Sequence, residues 1–211
     1  MSSNALLPIE LPVRFDDATR AAIRDRLAQL ARRRLPHSDD GVSSRASVLV
    51  PLCHAFGVPS VLFTKRTETV GTHKGQVSFP GGRHDVGDVD EVACALRELD
   101  EEVGLPAAHV DVLGLSHELI AITGVRVTPV VAYVGELGDL SSLRLSHREI
   151  DVAFTLPIAR LLQPPDRERM QLGIRVAPVF NAGPFPVWGL TALILDEVLR
   201  DALGLPLLPL T

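Results

Sequence analysis

The chain has 211 residues, 46% of them hydrophobic and 22% charged, with a formal net charge of −5. That composition suits one soluble globular domain with a substantial core, and the acidic balance argues against a nucleic-acid surface, which needs a basic patch. Two cysteines, Cys53 and Cys94, indicate a reducing compartment without a disulfide framework. No run approaches the roughly 18 apolar residues of a membrane span, so the expectation is a cytoplasmic protein with no membrane partner.

Residues 1 to 13 are punctuated by proline and expected to be extended. From Asp16 to Arg34 the pattern is helical, with Ile23, Leu27 and Leu30 at i, i+4 and i+7 and Asp16 or Asp17 placed to cap the start. Its arginines are interspersed with Asp17 and Asp25, which fits a solvated face better than a phosphate-binding one. After a polar loop from His37 to Ser44, the runs Ala46 to Leu52 and Ser60 to Thr64, split by Gly57 and Pro59, read as paired strands. Pro80-Gly81-Gly82 is a turn that lets backbone approach a ligand or metal.

The stretch that follows carries the chemistry. Val92, Leu96, Leu99 and Val103 are spaced as the core-facing stripe of a helix, and Gly104 is placed to end it. Glu98, Glu101 and Glu102, at i, i+3 and i+4, share the opposite face. Like charges at that spacing destabilise a helix by a few tenths of a kcal/mol, so the cluster implies a neutralising cation. Oxygen ligands alone point to Mg²⁺ or Mn²⁺, and the seven histidines lack the spacing of a zinc site. Cys94, near the carboxylate face, reads as a small buried thiol.

Downstream, Val110 to Leu115 and Val125 to Val134 read as strands separated by a turn at Gly124, and Pro129 places the second at an edge or a bulge. His147 to Phe154 leads into a short helix over Pro157 to Leu162. Ile174 to Phe180 suits a strand, and a last helix opens at Val187 to Ala192 and runs to about Leu203. Trp188, the one tryptophan, reads as a packing anchor.

The segment Arg97-Glu98-Leu99-Asp100-Glu101-Glu102-Val103-Gly104-Leu105, behind Gly82, resembles the Nudix box, G-x5-E-x7-R-E-U-x-E-E-x-G-U with U aliphatic. The second half fits at every defined position. In the first half, Asp88 stands where glutamate is expected and one extra residue precedes Arg97, a variation similar to the coenzyme A pyrophosphatase branch. Leu62, Thr64, Arg66, Gly75, Phe79, Pro80, Gly81 and Gly82 match a signature that precedes the box in that branch, whose second arginine falls here on Gly71. Val127-Thr128-Pro129-Val130-Val131 and Trp188-Gly189-Leu190-Thr191-Ala192 are also similar to it.

The resemblance implies an α/β fold, a Nudix-type α/β/α sandwich with a mixed, mostly antiparallel sheet and a loop–helix–loop box. Residues 1–40 would be an N-terminal extension and helix, and residues 41–211 the hydrolase domain. It further implies a pyrophosphate hydrolase acting on a small-molecule nucleotide substrate, as a monomer or homodimer. Metal ligands would be Glu98, Glu101, Glu102 and the Gly82 carbonyl. The base toward water would be one of those glutamates or Glu149, a loop acid at the position of a catalytic glutamate in many relatives. Arg97, Gly81 and Gly104 would be structural. Arg66, with Lys65 or Lys74, would supply charge for substrate phosphates. Coenzyme A or a derivative is the expected substrate, with ADP-ribose, a sugar nucleotide or a dinucleoside polyphosphate as the alternative, and a non-catalytic nucleotide sensor as the further one.

Overall fold

The structure, a computed structural model, describes residues 14–35, 45–68, 75–163, 166–172 and 175–205. Helix α1 spans Asp17–Gln29 and is capped by Asp16, whose carboxylate accepts the Thr19 N–H at 2.8 Å. The expected helix ran on to Arg34; the backbone instead turns extended at Leu30. The expected extended start, the 37–44 loop, Gly71 and Lys74 lie wholly or almost wholly outside the described residues.

The main sheet is built on β1 (Arg45–Ala55), which lies antiparallel to β2 (Val58–Arg66) and parallel to β7 (Arg126–Glu136). β2 takes β3 (Val77–Ser78) on one side and β8 (Ile150–Pro157) on the other, and β4 (Gly81–Arg83) pairs with the start of β1. Beyond β7 lie β5 (Asp111–Leu115) and β6 (Leu119–Ile120). Every pairing except β1 with β7 is antiparallel, so the sheet is mixed and mostly antiparallel. A separate two-stranded sheet joins β9 (Arg167–Leu172) to β10 (Arg175–Phe180).

Because side chains alternate across a strand, the central strands feed two cores. Leu49, Cys53, Val130 and Ala132 point to one face, where Ala95, Leu99 and Val103 of helix α2 (Glu91–Val103) cover them. Val50, Leu52, Val127 and Val131 point to the other, where they meet Ile23 and Leu27 of α1 and Ile194 and Leu195 of α4 (Gly189–Glu197). Helices on both faces of the sheet give an α/β/α sandwich. Helix α3 (Ile158–Leu161) follows β8, and α4 continues as a π-turn through Ala202.

One expectation is corrected, and one stretch gains an element. Pro129 sits in β7, a central strand flanked by β1 and β5, not at an edge. Its carbonyl accepts the Ser116 N–H at 2.9 Å, so its missing donor faces Ser116, just past β5, whose carbonyl accepts the Arg32 Nε–H at 3.1 Å instead. The stretch after Glu149, to which the sequence assigned no element, is an eight-residue strand, and α3 follows it where the short helix was expected.

Candidate active site

Helix α2 is fixed at both ends. Asp90 accepts the Ala93 N–H at 2.7 Å, and Gly104 closes the helix in the left-handed region at φ 72°. A Cβ at Gly104 would lie 2.8 Å from that of Arg144, so glycine suits both the turn and the space.

Upstream, Gly81 and Gly82 let β4 run close to its neighbours. A Cβ at Gly81 would fall 2.5 Å from the Ser47 carbonyl oxygen and 2.6 Å from the Val48 Cα. At Gly82 it would overlap the Glu98 carboxylate, which therefore lies directly against this strand.

Arg97 gathers the acids on one side. Its Nε and Nη2 grip the two oxygens of Asp88 at 3.0 and 2.9 Å, Nη1 reaches Glu98 at 2.9 Å and Glu101 at 3.1 Å, and Nη2 also donates to the Arg83 carbonyl at 3.1 Å. The guanidinium holds the Asp88 carboxyl well below the usual range, and Asp88 in turn raises Arg97. The sequence pattern placed Asp88 in the box but gave no hint of this grip. An acid in the turn between the glycines and a helix arginine is the signal that could have found it.

Arg66 gathers the acids on the other side. Its Nη1 lies 3.4 Å from Glu102 Oε1 and its Nη2 3.6 Å from Glu149 Oε2. The structure thus brings Glu149, from the turn before β8, to the helix carboxylates. Glu102 is only 1% exposed, although its helical spacing puts it opposite the core-facing stripe. Its Oε1 meets Arg66, while Oε2 is buried without a well-formed hydrogen bond. Burial pushes its pKa up to about 8, against the opposing effects of Arg66 and the Gly81 backbone. Burial raises Glu98 as well. Glu101 is the most exposed of the three.

Lys65 is engaged elsewhere. Its ammonium lies 3.1 Å from Asp151 and 3.6 Å from Glu68, over the Phe185 ring at 5.4 Å. His84, Asp88 and Cys94 converge within 4.8 Å, a grouping that sequence spacing does not display. Arg97 already holds both Asp88 oxygens, and burial with nearby Asp88 pushes the Cys94 thiol up to about 11, so the trio supports the turn by hydrogen bonding. The other free thiol, Cys53, is likewise raised by burial, to about 12.

A family model for the NUDIX domain matches residues 43–173 of the chain. The chain belongs to the Nudix family. Among curated relatives it is similar to the protein named mitochondrial coenzyme A diphosphatase NUDT8 of Homo sapiens, 45% identical over 161 residues, 74% of this chain and 68% of that one. It is also similar to the uncharacterized Nudix hydrolase NudL of Cronobacter sakazakii, 39% identical over 159 residues, 73% of this chain and 80% of that one. Among solved structures, a MutT/nudix family protein from Enterococcus faecalis covers 88% of this chain and 75% of its own at a TM-score of 0.51. At 16% identity that likeness shows the Nudix fold alone. Nudix hydrolases generally need a divalent metal ion. No helix among the described residues is long and apolar enough to cross a membrane.

Proposed function

We propose that this Nudix protein hydrolyses the diphosphate of coenzyme A or a derivative, giving 4′-phosphopantetheine and adenosine 3′,5′-bisphosphate. The observation that carries the chemistry is Glu102 Oε2, a buried acid oxygen without a well-formed hydrogen bond, in a carboxyl that feels Glu98 and Glu149. A buried carboxylate without a partner is costly, and a hard cation removes that cost. The residues present therefore fit Mg²⁺ or Mn²⁺, held by Glu98, Glu101, Glu102 and the Gly82 carbonyl. When bound, such an ion neutralises diphosphate oxygens and lowers the pKa of water.

The chain's own residues supply the remainder. Arg97, itself held by Asp88, fixes the rotamers of Glu98 and Glu101, so the acids are in place before substrate arrives. Arg66 sits between Glu102 and Glu149 and has further donors to offer a phosphate oxygen. Glu149 is half-exposed at the mouth of the cluster, suited to take the proton of the attacking water. Lys74 is proposed as a further phosphate contact, whereas Lys65 is taken up by Asp151 and Glu68. The coenzyme A assignment draws its support from the relative named for that activity and from the signature around Arg66 and Gly82. The compartment proposed is the cytoplasm, whose reducing character suits two free buried thiols.

One observation favours the alternative substrates, namely Gly71 at a position where the branch has arginine. A substrate panel with products identified by mass decides between them. Coenzyme A should be cleaved with Mg²⁺ or Mn²⁺ and not in excess chelator. Preference for ADP-ribose or a dinucleoside polyphosphate would replace the substrate, and turnover unchanged in chelator would remove the site.

A further inference from the structure

The loop that leads into β8 forms an open hollow of about 360 Å³, walled by Leu140, Leu143, Leu145 and Ala153, with His147 and Asp151 among its lining. Its volume is in the range of small-molecule pockets. The loop that forms it is pinned to the last turn of α2, where Arg144 N–H donates to the Val103 carbonyl and Ser146 N–H to that of Glu102, both at 2.9 Å. Leu140 holds a left-handed φ of 67°, uncommon for a residue with a side chain. His147 and Asp151 each stand two residues from Glu149, at most about 7 Å of backbone. The cavity and the proposed reaction centre therefore share one stretch of chain.

We infer that this cavity receives the pantetheine arm of the substrate, so that the diphosphate lies with its pantetheine half toward β8. The inference rests on the coenzyme A reading above. The two halves of such a substrate differ in chemistry. The nucleotide half carries a 3′-phosphate and needs a cation. The pantetheine half is neutral, begins with a dimethyl-substituted carbon next to the diphosphate and continues through two amides.

No lysine or arginine is among the residues lining the cavity. Lys65, the ion-pair partner of Asp151, also faces Glu68. Such a lining gives a phosphate no cation of its own, whereas the leucine walls suit the dimethyl group. His147 and Asp151 offer hydrogen-bonding groups to the amides.

The test uses the two products as inhibitors of coenzyme A hydrolysis by the full chain. Leu143→Asp places a charge in the wall, and His147→Trp narrows the opening from an exposed position that leaves the core intact. In both variants the inhibition constant of 4′-phosphopantetheine should rise at least about tenfold, while that of adenosine 3′,5′-bisphosphate stays within about twofold. If Leu143→Asp fails to fold, His147→Trp alone carries the comparison. Equal shifts for both products, no shift for either, or a shift for the bisphosphate alone overturns the inference while leaving coenzyme A hydrolysis standing. A wild-type protein that cleaves no coenzyme A overturns the substrate reading and this one with it.

Discussion

Glu102 concentrates the physical tension of the site. Its carboxyl is buried beside the β4 backbone, one oxygen meets Arg66 and the other lacks a well-formed hydrogen bond. Because its pKa is raised to about 8, metal-free folded protein binds a proton there that the unfolded chain has released above about 4.5. Stability of the chelated protein should therefore fall as pH rises from about 4.5 to about 8, since the native state binds the extra proton over that window. Glu102→Gln removes the titration without changing the shape. In chelator at pH 8, Glu102→Gln should melt at or above the wild-type temperature, and its pH dependence in that window should flatten. With Mg²⁺ or Mn²⁺ it should lose at least about a hundredfold in rate, the scale of a lost ligand to an ion supplying several kcal/mol. A variant within threefold of wild type would take Glu102 out of the catalytic set, and an unchanged pH profile would show that its burial costs nothing.

At the scale of the element, β4 matters as much as the helix. Gly81 meets backbone atoms, the Ser47 carbonyl oxygen and the Val48 Cα, and these cannot swing aside as a flexible side chain can. Gly81→Ala should therefore push β4 off β1 and move the Gly82 carbonyl away from Glu98, lowering both melting temperature and turnover. Preserved activity would show that β4 has slack the structure does not display. Helix α2 was legible in the sequence because its stripe and its closing glycine are local signals, and Leu99 and Val103 are indeed fully buried. The burial of Glu102 was not legible, because what covers it comes from Arg66 on β2 and the backbone of β4. Helical spacing says which residues share a face but not what is laid over that face. The strand β8 escaped for a related reason. Its Asp151 and Thr155 break the apolar run, and its pairing with β2 spans more than eighty residues of sequence. Pro129 misled because the rule for strand prolines concerns the donor, and the side chain that stands in for it, Arg32, comes from a distant stretch of the chain.

The whole molecule holds α1 as part of its core, although the sequence set residues 1–40 apart as an extension. Ile23 and Leu27 pack in the same cluster as Val131 and Leu195. The Phe15 N–H donates to His54 Nε2 at 3.0 Å, which leaves Nδ1 to donate to the Tyr133 hydroxyl at 2.9 Å. Arg20 and Arg24 both reach Asp111, Arg26 faces the carbonyls of Ala202 and Leu203, and Arg33 pairs with Glu197 at 2.6 Å. The arginines that read as a solvated face are therefore clamps onto the sheet edge and the α4 end. We propose that α1 and the domain unfold as one cooperative unit, and Ile23→Ala tests this. Ile23 is fully buried, so the truncation should cost about 2 to 5 kcal/mol. For a chain of this size that is a fall of roughly 5 to 15 °C in melting temperature. The sole tryptophan, Trp188, immediately precedes α4 and lies outside α1, so its fluorescence reports on the domain, whereas far-ultraviolet circular dichroism also senses α1. Both signals should shift together and remain one transition. An early loss of helical signal with the tryptophan transition unmoved would make α1 a separable appendage, and the clamp of arginines would then hold the helix in place without stabilising the site.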